Sequence, residues 1–122
     1  MTVERQGLGA LGERLAAAHL AAKGYEILER NFRCPEGEID IVARKGELLA
    51  FIEVKARRGR AMGTPEEAVG YRKRRRLQRV AEAYLAAHPD SPAQCRIDVV
   101  AVEFAGGRLA RLEHIEGAFD AL

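Results

Sequence analysis

The chain has 122 residues, 48% apolar and 31% charged, with a net charge of +2. That suffices for one domain, residues 1–122, with a buried core, and the ordinary balance argues against a disordered or fibrous protein. No apolar run approaches the ~20 residues of a membrane span, and the start lacks the charged, apolar and cleavage regions of a secretory signal, so a cytoplasmic protein that meets no membrane is expected.

The first predicted helix runs from about Leu8 to Lys23, with Gly24 as its stop. Leu8, Leu11, Leu15, Ala18 and Ala22 form one stripe, and Glu13 shares a second, small-residue face with Ala16, Ala17 and Leu20. Gly9 and Gly12 would let that end approach a neighbour closely. Tyr25 to Arg33 reads as a strand, broken by Pro35 and Gly37. Two apolar runs follow, Glu38 to Ala43 and Leu48 to Ala56, separated by the turn signal Arg44-Lys45-Gly46-Glu47. Residues 57 to 63 form a Gly/Arg loop.

Thr64-Pro65-Glu66-Glu67 marks a helix start with a capping threonine, a proline at the first position and a glutamate at the third. Gly70 interrupts this helix or divides it into a short turn and a longer helix. Leu77, Val80, Ala81, Tyr84 and Leu85 make its core stripe. Lys73 falls in line with that stripe and should point inward, whereas Arg72, Arg75, Arg76 and Arg79 point outward. His88-Pro89-Asp90 ends the helix. Ile97 to Phe104 is nearly continuous apolar sequence, the mark of a strand covered on both faces. Gly106-Gly107 turns into a last strand, Leu109 to Ile115. The fold class is α/β, in the order α-β-β-β-α-β-β, with a mixed sheet flanked by two helices.

The acidic hairpin carries the chemistry. With Lys45 and Gly46 as the turn, Arg44 pairs with Glu47, Glu38 faces Glu53, and Asp40 faces Phe51. Alternation then projects Glu38, Asp40, Phe51, Glu53 and Lys55 from one face, and Ile39, Ile41, Ala43, Ala50, Ile52 and Val54 from the other. Cross-strand neighbours lie ~5 Å apart and diagonal ones ~7–8 Å. Like charges this close repel, and a bound cation would remove the repulsion. Asp40 and Glu53 are therefore the candidate metal ligands. Glu38, after Gly37 at a strand end, also fits an exposed turn acid.

Magnesium prefers oxygen ligands and keeps several waters, so one aspartate, one glutamate and substrate phosphate oxygens suit it. Lys55 would orient the attacking water, stabilise charge on the transition state, or act as a base. Glu13 would complete the site from the first helix or stand as an ordinary surface acid. Arg57, Arg58 and Arg60 form one basic cluster; Arg72, Lys73, Arg74, Arg75, Arg76 and Arg79 form another. The acids lie mostly elsewhere, which gives one surface a phosphate-binding character. Asp98 is read as a structural hydrogen-bonding group. Cys34 and Cys95 match no zinc spacing, and His19, His88 and His114 have no mutual ligand spacing.

Gly9-x-x-Gly12-Glu13, Gly24-Tyr25, Arg30-Asn31-Phe32-Arg33, Gly37-Glu38-Ile39-Asp40, Phe51-Ile52-Glu53-Val54-Lys55-Ala56-Arg57, Ala68-Val69 and Arg96-Ile97-Asp98-Val99-Val100 resemble the YraN family of small bacterial proteins. That family is similar to the restriction-endonuclease-like nucleases, and within them to Holliday-junction resolvases. The resemblance implies a magnesium- or manganese-dependent phosphodiesterase fold, with Glu13, Asp40, Glu53 and Lys55 as its catalytic set. His19 and Gly117 depart from the aromatic and the asparagine common in relatives.

Three functions are consistent with these features: a metal-dependent endonuclease acting on DNA, including branched DNA; a non-catalytic nucleic-acid-binding module of the same fold; and an adaptor with vestigial acids. In the first, Arg57, Arg58, Arg60, Arg72, Lys73, Arg75, Arg76 and Arg79 would hold phosphates. A two-fold homodimer would suit a junction resolvase, although no interface stripe is legible.

Overall fold

The computed structural model describes residues 5–61 and 63–118. Helix α1 (Arg5–Ala22) leads into strands β1 (Glu26–Cys34), β2 (Gly37–Lys45) and β3 (Leu48–Arg58). A 3-10 turn (Glu66–Ala68) and helix α2 (Tyr71–Ala87) follow, then strands β4 (Gln94–Ala105) and β5 (Arg108–Ile115). The strands form one five-stranded sheet in the order β1-β2-β3-β4-β5. Only β3 and β4 run parallel, because the chain between them includes α2 and returns across the sheet. The expected α-β-β-β-α-β-β order and mixed sheet are therefore observed.

Local signals explain the element ends. Gly24, at φ 95°, lets the Tyr25 amide reach the Leu20 carbonyl and its own amide reach Ala21, both at 3.0 Å. This paired closure needs a left-handed residue after the helix. At the second start, Glu67 accepts hydrogen bonds from the Thr64 amide at 2.8 Å and its hydroxyl at 2.6 Å. Both bonds run from Thr64 to the Glu67 carboxylate, so only the Glu67 half of the expected capping pair forms, and the turn's cap residue is Pro65. Gly70 divides the turn from α2.

The two helices cover opposite sheet faces. On one side Leu77, Val80, Ala81 and Tyr84 of α2 meet Val42, Leu49, Phe51, Ile97 and Val99. On the other, Ala16 and Leu20 of α1 meet Ile41, Ala43, Ala50, Ile52, Val100 and Val102. The small-residue face of α1 is thus the most buried one, and Leu8, Leu11 and Leu15 of the expected stripe pack partly buried against the same cluster. Ala18 and Ala22, expected in its main stripe, are exposed. A Cβ on Gly12 would lie 2.9 Å from the Ala56 Cβ, while one on Gly9 would meet nothing within 4 Å. Close approach therefore involves Gly12 alone, and its neighbour is a side chain. Strand β4 is buried from Ile97 to Phe104 on both faces, as its apolar run predicts.

The hairpin register differs from the expected one by two residues. Lys45 pairs with Leu48, so Gly46 (φ 59°) and Glu47 form the turn. Gly46 takes the left-handed position, which the alternative turn also allowed, and sequence pattern alone does not choose between them. A two-residue shift preserves which face each side chain occupies but changes its partner. Alternation also breaks at Asp40: Ile39 joins the α2 cluster, although Ile41 and Ala43 join the α1 cluster. Asn31, at φ 55°, lies between the pairs Arg30–Ile41 and Phe32–Ile39, opposite this break. A left-handed residue in a strand kinks it locally and re-aims its neighbours.

Candidate active site

Strands β2 and β3 part at the end that bears the acids. Their ladder ends at Ile41–Ile52, and the same register carried one residue further puts Asp40 opposite Glu53. There, in place of a ladder carbonyl, Asp40 Oδ2 accepts the Val54 amide at 2.7 Å. The corrected register brings these two carboxylates together directly, whereas the expected one left them diagonal. Asp40, Glu53 and Lys55 line one cleft of about 610 Å³, together with Arg33, Glu38, Lys73 and Arg76.

The electrostatics follow from this crowding. Burial raises the pKa of Asp40 to about 8, and Glu53 adds like-charge repulsion; the Val54 amide opposes the shift. Glu53 is 5% exposed and meets Lys73 Nζ at 2.5 Å. The inward direction expected of Lys73 is observed, but sequence pattern gave no indication of its acidic partner. Burial lowers the pKa of Lys55, as does the Lys73 ammonium, while Glu53 and Asp40 work in the opposite direction.

Glu13 approaches from α1 without lining the cleft. Its Oε1 accepts a hydrogen bond from Asn31 Nδ2 at 3.0 Å and faces Arg30. Its charge still contributes to the raised pKa of Asp40. Glu38, at the cleft margin, pairs with exposed Arg33 at 3.0 Å.

The basic residues divide into two groups. Arg72, Arg75, Arg76 and Arg79 line a groove of about 340 Å³ with Tyr71. Arg76 also lines the acidic cleft, which joins the two. The loop expected from residue 57 begins two residues later, because β3 runs on to Arg58 alongside β4. At that strand end Arg58 is exposed and Arg57 half-buried. Arg60 is instead held by Glu103, through Nε at 2.7 Å and Nη2 at 3.0 Å. Arg111 joins them and extends to Glu66 at 2.8 Å. Arg60 and Arg111 hold the Glu103 carboxyl down to about 2. This network anchors the loop to β4 and to the 3-10 turn. Sequence reading missed it because its members are distant along the chain.

Asp98 forms a second buried centre, away from the cleft. Its carboxylate accepts hydrogen bonds from Arg96 Nε (2.7 Å), Arg96 Nη2 (2.9 Å), His114 Nε2 (2.7 Å) and the Gly117 amide (2.9 Å). Full satisfaction of a 0% exposed acid supports the structural reading. His114 is tied into this centre, and His88 binds the Tyr84 carbonyl at 2.8 Å.

Residues 12–102 match the uncharacterised protein family UPF0102. The chain belongs to that family. The motifs that resemble YraN proteins point to this same family. A UPF0102 protein of Moorella thermoacetica is 52% identical over 98% of this chain and 100% of its own length. One from Beutenbergia cavernae is 50% identical over 93% and 96%, and one from Symbiobacterium thermophilum 49% over 93% and 97%. The UPF0102 match includes Glu13, Asp40, Glu53 and Lys55 within its span.

Proposed function

We propose that this UPF0102 chain is a magnesium-dependent endonuclease that hydrolyses DNA phosphodiester bonds, with structured or branched DNA as its substrate. The observation that carries the reading is the meeting of Asp40 and Glu53 where β2 and β3 part, beside Lys55, in a cleft with basic walls. Two carboxylates in an open cleft suit magnesium or manganese, which retain water and accept phosphate oxygens. Among the described residues no group of three His, Cys, Asp or Glu side chains is arranged as a metal cage; Asp40 and Glu53 would supply two ligands, with water and phosphate oxygens as the others. A cation bound there supplies charge neutralisation and Lewis acidity.

The chain's own groups would do the rest. Arg76 and Arg33 would hold the phosphate that enters the cleft. Lys55 would orient the attacking water and oppose the negative charge that develops at the phosphorus. Glu13, held by Asn31 and Arg30, would add negative charge near Asp40 that a bound cation offsets.

A second reading is a nucleic-acid-binding module without catalysis. The Lys73–Glu53 ion pair favours it, because Lys73 gives Glu53 a counter-charge without a metal. One experiment separates the two: incubation with duplex, single-stranded and branched DNAs in magnesium, manganese or chelator. Cleavage that requires the divalent ion supports the nuclease. Salt-dependent binding with no cleavage of any substrate supports the module.

A further inference from the structure

Tyr71, the first residue of α2, is 72% exposed. A single exposed aromatic needs no explanation on its own, but its setting is unusual. Arg72, Arg75, Arg76 and Arg79 share its groove. None of the four forms a salt bridge among the described residues, as is also true of Arg57, Arg58 and Arg108, but only these four gather in one groove, whereas Arg30, Arg33, Arg44, Arg60, Arg96 and Arg111 are all ion-paired. The positive charge there is uncompensated by ion pairs among the described residues. Arg75 Nη1 donates to the Tyr71 hydroxyl at 3.2 Å, and its guanidinium carbon lies 5.9 Å from the ring centroid. The ring is braced from one side and otherwise largely in solvent. Tyr25 and Tyr84, in contrast, are buried in the core clusters.

We infer that Tyr71 is a stacking platform for an unpaired base, and that its arginine groove carries a single-stranded segment of DNA into the acidic cleft. Arginines lacking acidic partners bind the phosphate backbone, and an exposed ring among them offers a face to any base. A base inside a duplex is already stacked on its neighbours and cannot use that face. The groove therefore discriminates single strand from duplex, which the arginines alone would not do. Arg76, common to groove and cleft, sets the direction of entry. This inference rests on the DNA-binding part of the proposed function and names its substrate class: DNA with an unpaired stretch next to the cut.

The test is made in chelator, so it does not depend on cleavage. The chain contains three tyrosines and no tryptophan, and Tyr71 is the exposed one, so the part of the tyrosine emission that Tyr71→Ala removes reports on it. Oligo-dT and a blunt duplex of equal length are titrated into the wild-type chain, Tyr71→Ala and Tyr71→Phe. Quenching of wild-type emission by oligo-dT is expected. Tyr71→Ala should bind oligo-dT about tenfold more weakly, with a change below about twofold on the duplex. Tyr71→Phe should bind like the wild type. An equal loss on both DNAs, or no loss on oligo-dT, overturns the inference. If Tyr71→Ala binds oligo-dT normally while the wild-type chain cuts DNA in magnesium, the inference fails and the nuclease reading survives. If the selective loss is seen while no DNA is cut, the nuclease reading fails and Tyr71 stands as a platform for single-stranded DNA binding alone.

Discussion

Asp40 is the residue on which the site turns. A carboxyl raised to about 8 by burial and by Glu53 favours the folded state in its neutral form. Its contribution is harmless below the ordinary carboxylate range and becomes destabilising as pH rises from about 4 towards 8. In chelator, Asp40→Asn should therefore raise the melting temperature relative to the wild-type chain progressively over that interval. A pH profile unchanged by Asp40→Asn would show that the carboxylates are not crowded. Lys55 should separate binding from chemistry. Lys55→Ala should keep metal and DNA affinity while single-turnover cleavage drops by about a hundredfold or more, as for loss of a group that acts on developing charge. Lys55→Arg should not restore the rate, because a planar fork cannot replace a compact ammonium. Undiminished cleavage by Lys55→Ala would remove it from the mechanism. Asp40, Glu53 and Lys55 were legible as one cluster because side-chain alternation survives a two-residue slip in register. The Lys73–Glu53 pair was not, since the position of α2 relative to β3 is set by tertiary packing.

At the scale of elements, α1 and α2 do different work. The first delivers Glu13 by lying close on β3, and Gly12 is what permits this approach. Gly12→Val should destabilise the fold by about 1–3 kcal/mol through overpacking against Ala56, measured by urea unfolding. Gly9→Ala, in open space, should be neutral or stabilising by up to about 1 kcal/mol from helix propensity. Equal effects at the two positions would contradict the docking. The two glycines look alike in sequence, and only the position of the helix on the sheet distinguishes them. The second helix presents charge. Neutralising Arg72, Arg75, Arg76 and Arg79 should weaken DNA binding and lower the log–log salt slope by about one for each phosphate that is no longer neutralised. An unchanged slope would mean that this face is merely solvated. The helix face was readable from 3.6-residue periodicity, but the engagement of Arg60 by Glu103 was not.

Across the whole molecule, a sheet covered by one helix on each face leaves open the end where β2 and β3 part. The cleft at that end brings together two carboxylates, two lysines and the mouth of an arginine groove, while Glu13 and Arg60 lie outside it. The element order was legible because its turns carry glycine and its strands differ in burial. The hairpin register was not, because Gly46 suits either turn, and the break at Asp40 was not, because a left-handed Asn31 opposite it is not marked by the apolar pattern. The most direct test is a calorimetric titration of manganese into the wild-type chain, Asp40→Asn and Glu53→Gln, with circular dichroism to verify folding. Saturable binding by the wild-type chain and its loss in both folded variants is the predicted result. Wild-type affinity retained in both variants would contradict a metal site at Asp40 and Glu53.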